Sequence, residues 1–356
     1  MHIYNFSAGP SILPKTVFEE ASKAVLDFTG NGLSLLEISH RSKDFIKVMD
    51  EAEALVRELL NVPEEYAVLF LSGGASTQFF MAPMNLLGPD QKAAYADTGT
   101  WASKAIKEAR LFGHVDVVAS SKDKKYTFIP KVHPVSADHV YLHITSNNTI
   151  YGTQYHRFPE TSIPLVCDMS SDIFSRPFDI SAFDLIYAGA QKNMGPAGTT
   201  LVIVKKSVLG KTGRDLPAML DYRNHIENGS MYNTPPVFAI YVSMLVLRWL
   251  KNLGGVEVIQ KMNREKAAVL YREIERNPLF YCPVSEEDRS LMNVNFLLHD
   301  TEKEAAFLDH AKTYGCQGIA GHRSVGGFRA SIYNAMPLEG VNALVAAMQS
   351  FEQKHS

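Results

Sequence analysis

The chain reads as an α/β protein: a large domain on a mostly parallel sheet, then a smaller α+β domain. Two observations carry this reading. From about residue 65 to residue 205, short runs rich in Val, Ile, Leu, Ala and Tyr alternate with helix-forming segments. Their connections are of crossover length, the pattern of parallel strands covered by helices on both faces. After residue 256 the order changes to a long apolar-periodic segment, then strands and helices in a compact C-terminal unit. With 356 residues, 46% of them hydrophobic, the chain can fill two cores.

Residues 1–15 form an arm in which Gly9, Pro10 and Pro14 oppose regular structure. A helix is predicted from Lys15 to Phe28, and Gly30 to Arg41 reads as a loop. The next helix runs from Lys43 to Leu60, where Phe45, Val48, Met49, Ala52, Leu55 and Leu59 recur at helical spacing and form a core stripe. Strands are predicted at Ala67–Leu71, Ala93–Asp97, Val115–Ala119 and Val140–Thr145, with one helix starting at Ala75 or Ser76 and another running past Trp101 to Phe112. His139 and His143 would share a helix face as metal ligands do, but VYLHI is a strand pattern and both read as structural. From Lys205 to Tyr241 the pattern loosens. Helices follow over Pro236–Asn252 and Val256–Arg276, then strands at Asn293–Leu298 and Gly327–Tyr333 and helices at Glu302–Tyr314 and Leu338–Gln353. The division expected is an arm at 1–15, a large domain at 16–255 and a small domain at 256–356.

A net charge of -3 with interspersed signs gives no footprint for nucleic acid. The opening MHIYNFSAGP lacks the basic and apolar regions of a signal peptide, and no apolar run is long enough to span a membrane. A soluble, cytoplasmic protein is expected. Cys167, Cys282 and Cys316 are too few and too scattered for a disulfide framework or a metal knuckle, so reduced thiols and no metal are expected.

Two strand ends carry chemistry. In Phe183–Val204, the runs Asp184–Ala188 and Thr200–Val204 flank a Gly/Pro/Asn-rich turn that holds Lys192. Upstream, the apolar run of Ile163–Asp172 stops at Asp168. Ligands of open parallel sheets collect outside the carboxyl ends of the strands, and an acid and an amine there are what pyridoxal phosphate chemistry uses. Taken locally, Lys192 also fits a solvated turn lysine, and Asp168 fits a helix N-cap. Ser72, Gly73 and Gly74, between a strand and a helix, could cradle a phosphate on backbone amides or be an ordinary connection.

The motifs SAGP near the start, SHRSKDF at 39–45, SGGAS at 72–76, Trp101, NNTIYG at 147–152, Asp168, AGAQKNMGPAG at 188–198, YNTPP at 232–236 and GHRSVGGFRAS at 321–331 span essentially the whole chain. Together they resemble the phosphoserine aminotransferases, of the class V subgroup of fold type I pyridoxal-phosphate-dependent aminotransferases. The resemblance implies pyridoxal 5'-phosphate bound as a Schiff base to Lys192, with Asp168 on the pyridine nitrogen and Trp101 flat on the ring. It further implies Thr149 near the ring's 3-oxygen, and Ala75, Ser76 and Gln191 at the phosphate. Some relatives carry arginine where this chain has Ser76, so the phosphate would lean more on dipoles and hydroxyls. A homodimer is implied, with Asn233 and Thr234 reaching the partner's cofactor phosphate.

The implied reaction passes the amino group of L-glutamate to 3-phosphohydroxypyruvate, giving O-phospho-L-serine and 2-oxoglutarate in serine biosynthesis. The phosphorylated hydroxythreonine of pyridoxine biosynthesis, 4-phosphohydroxy-L-threonine, is a second implied substrate. A substrate with a carboxylate and a phosphate calls for paired guanidinium groups. By the resemblance Arg329 holds the α-carboxylate, while His40, Arg41, His322 and Arg323 hold the phosphate or the glutamate side chain, some of them from the partner subunit. Two other readings stand beside this one. A serine-glyoxylate aminotransferase or a cysteine desulfurase would share Asp168 and Lys192, and Cys316 is the thiol to ask about in a desulfurase. A non-catalytic binding module would not need Lys192, Asp168 and Trp101 together.

Overall fold

Residues 2–355 are described in a computed structural model. Among them, seven strands build the main sheet: β1 (Tyr66–Leu71), β2 (Lys92–Asp97), β3 (His114–Ser120), β4 (His139–Thr145), β5 (Leu165–Asp168), β6 (Leu185–Gly189) and β7 (Thr200–Lys205). Their order across the sheet is β1-β7-β6-β5-β4-β2-β3. β7 runs antiparallel to β1 and to β6, and the remaining pairings are parallel. The helices of this part are α1 (Lys15–Leu26), α2 (Lys43–Leu60), α3 (Gly74–Leu86), α4 (Thr100–Ala109), α5 (Tyr222–Glu227) and α6 (Val237–Asn252).

Alternation along each strand splits the core in two. On β7, Leu201 and Ile203 join Val48, Leu55, Ile240 and Leu247 of α2 and α6, while Val202 joins Phe79 and Ile106 of α3 and α4. Both faces are covered, which is why β1, β5 and β6 are buried along their whole length. Among the described residues no single helix is long and apolar enough to cross a membrane. α6 and the following α7 (Gly255–Arg276) are so only as a pair, and they meet at an 84° bend.

The second unit is an antiparallel sheet, β8 (Phe280–Tyr281), β9 (Asn293–Leu298) and β10 (Phe328–Ser331), packed by α7, α8 (Glu304–Lys312) and α9 (Leu338–His355). Leu270, Phe296, Phe307, Leu344 and Phe351 form its core. α7 belongs to both units, since Ile259 near its start lies in the large core and Leu270 lies in the small one.

Three local expectations change. The arm is not free of regular structure: Tyr4–Asn5 pairs in parallel with Cys316–Gln317, and Phe6 is fully buried in the small core. Its glycine and prolines come after that pairing, so they do not prevent it. α1 stops at Leu26 because the Asp27 carboxylate accepts from the amides of Gly30 and Gly32 and turns the chain. The loose stretch after Lys205 contains α5, whose N-cap Asp221 accepts from the Arg223 amide at 2.9 Å.

Candidate active site

The carboxyl ends of the parallel strands converge. β5 ends at Asp168, β6 ends at Gly189 just before Lys192, β4 leads to Thr149, β2 leads to Trp101, and β1 leads through Gly73 and Gly74 into α3. A cavity of about 250 Å³ sits there, lined by the start of α3, Trp101, Asp168, Ser170, Gln191 and Lys192. Ala75 and Ser76 belong to this lining.

Asp168 is 5% exposed, and its Oδ1 accepts from the Ser170 amide at 2.9 Å and the Ser170 hydroxyl at 2.6 Å. These bonds fix the carboxylate plane. Burial raises its pKa, and the nearby Lys192 amine and the Ser170 bonds oppose that rise. A buried carboxylate beside a cavity is suited to a protonated ring nitrogen, which would balance its charge. The N-cap alternative does not describe it, since no helix starts at Asp168.

Lys192 faces the same cavity. Its Nζ donates to Thr149 Oγ1 at 3.0 Å and lies 5.7 Å from the centre of the Trp101 ring. Burial lowers its pKa first, Asp168 opposes, and the Arg329 guanidinium lowers it again. This is not a solvated turn lysine. The turn that carries it is fastened by the arm: the Ser11 amide donates to the Gln191 carbonyl at 3.0 Å, the Ser11 hydroxyl to the Lys192 carbonyl, and Gly9 lies against both side chains.

The start of α3 is an open cradle. Gly73 and Gly74 have φ of 99° and 68°, and a Cβ on Gly73 would stand 1.9 Å from Thr77 Oγ1, so only glycine fits there. The free amides of the first helical turn thus face the cavity beside the Ser76 side chain. The Trp101 indole forms one wall of the cavity. An acid, an amine, an aromatic wall and an anion cradle around one ring-sized space fit pyridoxal phosphate.

Arg329, on β10, stands close enough for its charge to act on the Lys192 amine. Its Nε is buried without a hydrogen-bond partner, and no acid pairs with it among the described residues. Burial lowers its pKa. His322 is close enough to Arg329, Arg323 and Lys104 for all three to disfavour its charge, after burial, and its Nδ1 lies 2.7 Å from Ser324 Oγ. The rest of the rim is not gathered. His40 and Arg41 sit on the loop before α2 and contact each other at 3.3 Å, and Asn233 and Thr234 are exposed. Asn233 lines a separate cavity of about 110 Å³ with Ser72 and Thr77.

Residues 3–344 match the model of the family described as aminotransferase class-V. The chain belongs to the class-V aminotransferases. Among curated relatives of this family, the phosphoserine aminotransferase of Flavobacterium johnsoniae is 61% identical over 99% of this chain and 100% of its own. That of Parabacteroides distasonis is 58% identical over 100% of both. Among solved class-V structures, the phosphoserine aminotransferase from Bacillus circulans subsp. alkalophilus superposes with a TM-score of 0.97 at 46% identity, over 100% of this chain and 99% of that one. The pyridoxal-phosphate-bound phosphoserine aminotransferase from Trichomonas vaginalis gives 0.93 at 37% identity, over 98% and 100%.

In this class-V chain the desulfurase question closes. Cys316 is fully buried in its strand, and burial pushes its thiol up to about 12, so it offers no thiolate near neutral pH. His139 and His143 are structural: one lies 2.9 Å from Asp116, the other 2.8 Å from the Tyr187 hydroxyl. Among the described residues no group of three or more His, Cys, Asp or Glu could hold a metal. Sequence reasoning missed Ser170, Ser11 and Asp172. Asp172 accepts from Ser146 Oγ and from Gln154 Nε2 at 3.1 Å, pairs with Arg176 at 3.7 Å, and opposes the drop in the Lys192 pKa. Its signal was the second acid of DMSSD, four residues after Asp168.

Proposed function

We propose that this chain is a phosphoserine aminotransferase, transferring the amino group of L-glutamate to 3-phosphohydroxypyruvate to give O-phospho-L-serine and 2-oxoglutarate, as a cytoplasmic homodimer. One observation carries the reading: the amine of Lys192, held by Thr149, shares its cavity with the Asp168 carboxylate and feels the charge of Arg329, a half-buried guanidinium whose Nε has no hydrogen-bond partner among the described residues.

Pyridoxal phosphate, when bound, supplies an aldehyde that condenses with the Lys192 amine and a ring that accepts the electron pair left when the α-proton departs. The residues do the rest. Asp168, braced by Ser170, would hold a proton on the ring nitrogen of the bound group. The first-turn amides of α3, with Ser76 and Gln191, hold the phosphate end, and the Trp101 ring sets the plane. Arg329 grips the α-carboxylate through paired N–H donors, which orients the Cα–H bond toward Lys192. Lys192, with its lowered pKa, would take that proton as a neutral amine and hold it at Nζ for return. His322 and Arg323, with His40 and Arg41 of a second copy, read the substrate phosphate. Asn233 and Thr234 reach across to the partner's cofactor phosphate.

The test is a single-turnover spectrum of the purified holoenzyme. L-glutamate should remove the yellow absorbance, and 3-phosphohydroxypyruvate should restore it while pyruvate does not. Equal recovery with pyruvate would remove the phosphate-reading role from the His and Arg cluster. No change with L-glutamate would refute the donor.

A further inference from the structure

One buried cation takes no part in this chemistry. Lys266, on α7, is 2% exposed, and its Nζ donates to the carbonyls of Ile332 at 3.0 Å, Tyr333 at 2.7 Å and Met336 at 3.0 Å. Burial pushes the amine down to about 7. The three carbonyls oppose that shift, because only the ammonium can donate to all three.

The segment it holds, 332–336, continues directly from β10, the strand that carries Arg329. The same segment touches the turn of Lys192. The Asn334 amide donates to Asn193 Oδ1 at 3.0 Å, and its side chain donates to the Phe174 carbonyl at 2.9 Å. One turn before Lys266, Asn263 donates to Asn334 Oδ1 at 2.8 Å and to the Ser175 carbonyl at 3.2 Å. Asn193, Asn263 and Asn334 are each at most 5% exposed. A buried polar network of this kind holds one arrangement, because each broken bond leaves an unsatisfied group. It lies where α7 passes from the large core to the small one, so it ties the strand of Arg329 to the residue next to Lys192.

We infer that Lys266 is a positioning residue: with Asn263 and Asn334 it sets where the Arg329 guanidinium stands relative to the Lys192 amine, and so sets affinity for the substrate α-carboxylate. This rests on the role proposed above for Arg329. A single strut serves both half-reactions, since donor and acceptor each present that carboxylate. A misplacement of about 1 Å by a change far from the chemistry costs up to about a hundredfold.

The experiment is steady-state kinetics of the holoenzyme carrying Lys266→Met, which keeps the side-chain length and removes the donors. The expected result is KM for L-glutamate and for 3-phosphohydroxypyruvate rising together by about tenfold, with kcat within about threefold. Lys266→Gln, which keeps a donor, should recover part of the KM. A folded Lys266→Met enzyme with unchanged KM values, or one that loses kcat alone, would overturn the inference. If Lys266→Met does not fold, Asn263→Ala decides by the same readout, with a rise of about threefold expected and no rise refuting it. Should wild type reject 3-phosphohydroxypyruvate, the functional reading fails by itself, and the strut is still read from KM for L-glutamate.

Discussion

The floor of the site and its rim are built differently. The floor is rigid and supplied by one chain: Asp168, Lys192, Thr149 and Trp101 stand at or just beyond the carboxyl ends of β5, β6, β4 and β2, locked by Ser170, Ser11 and the sheet beneath. The rim is scattered. Arg329 comes from the small domain, while His40, Arg41, Asn233 and Thr234 lie on loops whose hydrogen bonds, among the described residues, stay local. Chemistry common to many substrates sits where the backbone moves least, and recognition sits on loops that can differ.

That contrast is open to a direct break. Lys192→Ala should lose at least about a thousandfold in kcat, and Arg41→Ala about ten- to a hundredfold in kcat/KM. If Arg41 serves the partner's floor, unfolding and refolding the two variants together regenerates one intact site per hybrid, and activity climbs to about a quarter of wild type. Mixtures no better than the sum of the separate variants would place Arg41 on its own chain's site. A smaller effect tests the floor alone. Asp168→Asn keeps the shape and the Ser170 contacts but removes the charge, so kcat should fall about a hundredfold while KM for either substrate moves little. A change confined to KM would assign Asp168 to the rim.

How far the sequence reached follows the same division. The strands, α2 and both ends of the Lys192 turn were legible because short apolar runs and helical spacing are local signals, and Asp168 was legible because it interrupts an apolar run. The arm was not. Its pairing with Cys316–Gln317 and its grip on Lys192 through Ser11 join residues far apart in the chain, and nothing in NFSAGP announces either contact. α5 was hidden for another reason: six residues are too few to display a period, and its Asp221 cap is an ordinary loop residue until its bond is seen. The network of Asn193, Asn263, Asn334 and Lys266 is polar at positions that a pattern reader assigns to the surface.

The smallest effect concerns stability, and it separates floor from rim by pH. His143 lies in β4 beneath the site, stacked on Tyr95 at 4.7 Å and bonded to the Tyr187 hydroxyl, with burial pushing its pKa down to about 3 from 6.5. Below pH 6.5 the unfolded chain binds a proton that the folded one refuses, so stability contributed by the neutral ring is lost as pH falls. Between pH 6.5 and pH 5 the loss is about 2 kcal/mol per chain. His322 is also lowered, but it sits on a loop, and under the role proposed above its protonation would change substrate binding rather than folding. Urea unfolding at the two pH values should therefore show the drop in wild type and in His322→Gln alike, and a smaller drop in His143→Gln, which cannot titrate. Equal drops in all three would remove His143 from the acid response and shift it to another histidine such as His156, whose pKa burial also lowers, and not to Asp168 and Asp172. Their raised pKa values act with the opposite sign, because burial makes both easier to protonate in the folded state, so a drop carried by them is not expected in this range.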